Sequence, residues 1–177
     1  MNKIARLLTI GGLSAAVVLT MAFVPFLDRK NGGQGSEAWR NISGPELTEA
    51  NLPDYVNGLP LQLRVRKVEL THSILSLDLL LPGTAEKKVV YGDLLRIAQS
   101  SLLRTSNISR VFIRIVEYGA KPGENGPQLV MAMEAARTEA KALSSLKGTD
   151  GEEKVAAELQ RRFLLTFTKK WQRHFPE

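Results

Sequence analysis

The sequence predicts an α+β protein with an N-terminal transmembrane helix, followed by a two-layer β-β-α-β-β sandwich with C-terminal helices. Three observations carry this expectation. Residues 7–27 run for 21 positions without a charge. Between Leu61 and Ala136, apolar residues alternate with period two in four segments, with one segment at helical spacing after the second. Beyond Arg137 the spacing is helical.

Residues 1–6 form a short basic head carrying Lys3 and Arg6. Leu7 to Leu27 (LLTIGGLSAAVVLTMAFVPFL) follows, about 31 Å as a helix, close to the hydrocarbon thickness of a bilayer. Asp28, Arg29 and Lys30 end it. The expected outcome is a retained anchor. The alternative is a signal peptide cut after Thr20-Met21-Ala22, which would release a secreted protein. The apolar run continues past Ala22 and lacks an A-x-A site, which favours retention. Flanking charges are nearly balanced, and the head is too short to be a domain, so the N-terminus is placed in the cytoplasm and the remainder outside. Gly11-x-x-x-Ala15 and Gly12-x-x-x-Ala16 would allow self-association through the anchor.

Residues 28–58 are rich in Gly and Pro and read as a tether. Trp39, Ile42, Leu47 and Leu52 would pin its later part onto the domain, with a helical turn over Pro45–Asn51. The extracytoplasmic α+β domain spans residues 59–177.

In that domain, Leu61–Thr71 alternates, and Ser73–Leu81 places Leu75, Leu77, Leu79 and Leu81 on one face against Ser76 and Asp78. The Thr-His-Ser junction suits a tight turn between paired strands. Lys88–Arg104 carries a helical stripe of Leu94, Ile97, Ala98, Ser101 and Leu102. The segment 106–118 returns to period two, with Val111, Ile113 and Ile115 opposite Arg110, Phe112, Arg114 and Val116. A loop over Ala120–Pro127 precedes a fourth strand, Gln128–Ala136. Arg137–Lys147 is expected as a short helix stopped by Gly148. A longer helix over Asp150–Phe175 would present Leu159, Phe163, Leu164, Phe167 and Trp171 to the sheet.

Composition narrows the chemistry. The absence of Cys excludes disulfide scaffolds, thiolate metal sites and thiol catalysis. Two histidines, His72 and His174, share no metal-ligand motif, and no cofactor is expected. Neither a nucleophile elbow nor a phosphate-loop spacing occurs, and GAKPGENG leads into a strand rather than a helix. Glu69, Asp78, Glu117 and Glu134 could in principle supply a glycosidase carboxylate pair, but cross-strand partnership with Arg64, Arg66 or Arg114 is routine on an exposed sheet face and is the expected reading. The net charge of +6 falls to about +3 beyond residue 30, where 20 basic residues stand against 17 acidic ones. Nucleic acid is therefore not an expected partner. Asn41-Ile-Ser43 and Asn107-Ile-Ser109 match the glycosylation sequon.

The candidate binding feature is a patch of Arg64, Arg66, Arg110 and Arg114 on the sheet face opposite the helices, which would gather near Phe112 if the first and third strands are adjacent; the alternative is a solvated face with local Glu and Asp partners. Such a patch would take an acidic envelope protein, an anionic lipid or a wall polymer. A flat arginine-rich face would favour protein contact, and a deep polar pocket would favour ligand binding or catalysis.

The segment YGDLLRIAQSSLLRTSNISRVFIRIVEY, with the anchor and the two leucine-rich strands, resembles uncharacterised single-pass envelope proteins of Gram-positive bacteria. That resemblance implies a bacterial, extracytoplasmic, non-enzymatic protein and brings no catalytic residues. The expected function is a non-enzymatic, membrane-anchored interaction or assembly protein. The alternative is a sensory or ligand-binding module acting through a membrane partner.

Overall fold

The computed structural model describes residues 44–119, 126–147 and 150–176. The head, the apolar run 7–27, Trp39, Ile42, most of the 120–127 loop and Gly148 lie outside them. Among the described residues, no helix is long and apolar enough to cross a membrane.

The fold is mixed α/β, with a five-stranded sheet in the order β1-β2-β3-β4-β5. Helix α1 (Leu52–Asn57) precedes β1 (Arg64–Thr71) and β2 (Ile74–Leu80), and α2 (Lys87–Arg104) leads to β3 (Arg110–Tyr118) and β4 (Pro127–Ala136). Helix α3 (Arg137–Ala140) runs into a 3-10 turn at Lys141–Ser145, followed by α4 (Glu152–Arg162), β5 (Leu164–Phe167) and α5 (Lys169–His174). Strands β2 and β3 are parallel, and the other neighbouring pairs are antiparallel. A parallel pair needs a crossover, which is the place α2 occupies in the chain.

Period-two patterning sets the inner face. Leu75, Leu77, Leu79, Val111, Ile113, Ile115, Met131, Met133 and Ala135 are all buried there. Helix α2 meets them with Val90, Leu94, Leu95, Ile97, Ala98 and Leu102. At about 25 cal/mol per Å² of apolar surface, this layer is the main source of stability. The Thr-His-Ser junction is a turn of His72 and Ser73 between antiparallel strands, with His72 at φ 56°.

Polar clamps fix the chain on either side of α2. Asp93, fully buried, accepts from Gln62 N at 2.8 Å and Leu63 N at 2.7 Å through Oδ2, and from Arg96 Nη1 through Oδ1. It therefore satisfies the approach to β1. The Asn107 side-chain amide closes a pair of bonds with the Leu47 backbone at 2.7 and 2.9 Å, so this sequon residue has a structural partner. Leu47 and Leu52 both join the core. The helix near them is Leu52–Asn57, later than the Pro45–Asn51 turn expected from sequence; Pro53 falls at its start. Gly44 lies against the end of α2, where a Cβ would sit 2.2 Å from the Arg104 carbonyl oxygen.

The C-terminal region departs most from expectation. In place of one helix over Asp150–Phe175, α4 ends at Arg162, β5 adds a fifth strand, and α5 follows. Leu159, Phe163 and Trp171 are buried as the wheel requires, but Leu164 is 67% exposed and Phe167 38%. The LLTF segment combines an aromatic with a β-branched residue, and the edge of β4 offers unpaired backbone groups. Strand pairing therefore overrides helical spacing. Thr168 then caps α5 by accepting from Lys170 N, while its hydroxyl donates to the carbonyls of Leu129 and Val130. Arg137–Lys147 likewise splits into α3 and the 3-10 turn, where Gln99 Nε2 donates to the Leu143 and Leu146 carbonyls.

Candidate functional site

The outer sheet face carries the candidate site. Alternation that turns leucine inward on β2 turns Ser76 and Asp78 outward, and on β3 it turns Arg110, Phe112 and Arg114 outward. Two cross-strand rows result. One joins Lys67, Asp78, Arg114, Ala132 and Thr166; the next joins Glu69, Ser76, Phe112, Glu134 and Leu164.

Strands β1 and β3 are not neighbours, because β2 lies between them. The four arginines therefore do not form one cluster around Phe112. Arg66 and Arg114 converge on Asp78 from opposite sides. Arg114 donates through Nε at 2.6 Å and Nη2 at 2.9 Å, and Arg66 donates through Nη2 at 2.7 Å. A bulge between Val65 and Lys67 leaves Arg66 without a strand partner, so two consecutive side chains crowd the same face. Arg110 pairs with Glu134 at 3.2 Å, and Lys67 with Glu69 at 2.7 Å. Arg64 lies opposite Leu80 and has no ion pair among the described residues.

Asp78 is 3% exposed despite facing outward, because its two arginines cover it. Burial pushes its carboxyl upward, but the bonds from Arg114 and Arg66 outweigh that and hold it below the usual carboxylate range. Each carboxylate of this face thus has a cation partner. Among the described residues the face carries five cations, four of them ion-paired, against three carboxylates, and is not a purely cationic patch.

Between the rows lies an open groove of about 460 Å³, lined by Phe112, Ala132, Glu134, Leu164 and Thr166 with Arg114 and Glu69 at its margins. Small residues, Ser76 and Ala132, lower its floor between the larger side chains. Glu69 and Glu134 stand on strands three positions apart, about 14 Å at the backbone. Glycosidase carboxylates work about 5–10 Å apart. Glu117 is on the other side of the sheet, bound by Lys170 and His174 of α5. Among the described residues, no group of three or more His, Asp or Glu could hold a metal.

Sequence reasoning singled out the four arginines and offered Arg66 and Arg114 as partners of Asp78, but missed Leu164, Ala132 and the convergence of both arginines on that one carboxylate. A lone aspartate inside an otherwise leucine-rich strand was the available signal for that convergence. Leu164 was hidden by its assignment to a helix.

The molecule is a five-stranded mixed α/β domain with one sheet face uncovered by its described helices. In comparisons with known proteins, no family model matches the chain, and no curated protein or solved structure matches it.

Proposed function

We propose that this is a membrane-anchored, extracytoplasmic interaction or assembly protein of the bacterial cell envelope, non-catalytic, which docks a protein partner on its outer sheet face. The observation that carries this reading is the groove between Phe112, Ala132 and Leu164, bare of any described helix and bordered by Arg114. Phe112 and Ala132 are half-buried and Leu164 is exposed, and an apolar strip rimmed by charge is one of the features that mark a protein contact. The groove has the volume of a small-molecule site, but it lies open across the strands instead of enclosing a ligand. A partner with an apolar ridge and acidic flanks would fill the groove and meet Arg64. The uncharged run 7–27 supplies the anchor in this reading.

The test uses the full-length protein in its native membrane. Leu164→Asp combined with Arg64→Glu should weaken capture of the partner at least thirtyfold, the effect of losing an interface hot spot of about 2 kcal/mol. Neither side chain belongs to the Asp78 network, so the urea midpoint should stay at the wild-type value. Capture at wild-type strength by this variant would remove the reading.

A further inference from the structure

We propose that the end of the domain containing α5 is a second docking surface, whose occupant is the anionic headgroup layer of the membrane that holds the chain. This rests on the anchored reading above.

Among the described residues, three of the four exposed large hydrophobics lie at this end: Tyr118 at 57%, and Leu129 and Phe167 at 38% each. Tyr118 and Leu129 lie at the paired ends of β3 and β4, on the outer side of the sheet, where Tyr118 meets Arg66. Phe167 adjoins Thr168, whose hydroxyl bonds the Leu129 and Val130 carbonyls.

The cations gather there too. Helix α5 (KKWQRH) turns Trp171 into the core, where its ring lies 5.7 Å from Tyr91, and leaves Lys169 and Arg173 exposed. Lys87 joins Trp171, Gln172, Phe175 and Pro176 around a cleft of about 380 Å³. Lys87, Lys88, Lys169 and Arg173 have no ion pair among the described residues. Lys87 and Lys88 also occupy the first turn of α2, which has no acidic residue. This placement runs against the helix dipole and would be relieved by an external anion. Three carboxylates are nearby. Glu117 is taken up by Lys170 and His174, Glu86 precedes Lys87, and Glu152 acts on Tyr91. The surface keeps a positive balance beside apolar side chains, the composition that settles at an anionic lipid interface.

Reach is sufficient. Gly44 sits at the C-terminal end of α2, which is 18 residues, or about 27 Å, long. The 16 residues from Asp28 to Ser43 can span up to about 55 Å. A tether of that length lets the Lys87 end meet the leaflet.

The chain contains no cysteine, so one introduced thiol reports one place. A nitroxide on Gln172→Cys, in full-length protein inserted into vesicles of equal parts phosphatidylglycerol and phosphatidylcholine, should contact lipid. It should stay in water in pure phosphatidylcholine. The same label on Thr71→Cys, at the opposite end of the sheet, should stay in water in both. Adding Lys169→Ser and Arg173→Ser should lower the docked-to-free ratio about thirtyfold, since each cation near an anionic surface contributes about fivefold. A label at 172 that remains in water, or that ignores lipid charge, overturns the proposal. Protein stripped from the vesicles by alkaline carbonate would instead show that the anchored reading has failed.

Discussion

Removing Arg66 and Arg114 together should destabilise the domain, and neutralising Asp78 should then restore it. Asp78 accepts three bonds of 2.6–2.9 Å from the two guanidiniums, and its side chain is 4% exposed. Stripping the partners from a buried carboxylate costs about 3–5 kcal/mol. Arg114 is half exposed and screened by water, which lowers the figure here to about 2–3 kcal/mol. Arg66→Ser alone leaves the two-bond Arg114 contact and should lower the urea midpoint less than the double substitution does. Asp78→Asn in the double-serine background removes the stranded charge and should recover more than half the loss. The assay is urea unfolding of the four variants and wild type under identical conditions. A double-serine protein unfolding at the wild-type midpoint would refute the reasoning, as would an Asn substitution that deepens the loss. One consequence is practical. Substituting all four arginines by serine would perturb folding as well as binding, so Arg64 and Leu164 are the cleaner probes of docking.

Two further outcomes test the packing. Trp171→Ala removes the ring at the centre of the contacts with Tyr91, Phe167 and Phe175, and should cost about 3–5 kcal/mol in urea unfolding. A loss below about 1 kcal/mol would mean that α5 is not part of the core. Burial raises the Glu117 carboxyl, but Lys170 and His174 pull it below the ordinary value near 4.5. Its contribution is therefore complete above that value and is lost as pH falls through the depressed one. Wild-type stability should decline below about pH 4.5, and Glu117→Gln should be less stable at neutral pH with a shallower acid decline. Parallel acid profiles for the two proteins would contradict this account.

Local pattern made the first four strands legible. Alternation in SILSLDLLL and RVFIRIVEY placed Leu75, Leu77, Leu79, Val111, Ile113 and Ile115 inside, where the structure has them. Alternation assigns a face but not a neighbour, so the insertion of β2 between the arginine-bearing strands was invisible. That non-local choice decided the site, because it directed Arg66 and Arg114 to one aspartate. The bulge at Arg66 also shifts register without a sequence mark. At the C-terminus, Leu159, Phe163, Phe167 and Trp171 fit a helical wheel by spacing alone: Leu159 lies on α4, Phe163 just past its end, Phe167 on β5 and Trp171 on α5, so the strand breaks the stripe. Four residues completing the edge of β4 outweighed a pattern that local spacing favoured.

The claim that the outer sheet face is the docking surface is tested most directly by site-specific photo-crosslinking in the native membrane. A photoreactive residue replaces Leu164 in one full-length protein and the exposed Thr138 of α3 in another. One envelope protein crosslinked from 164, absent from 138 and lost with Arg64→Glu, is the expected result. No adduct from 164, or the same adducts from both positions, would contradict it.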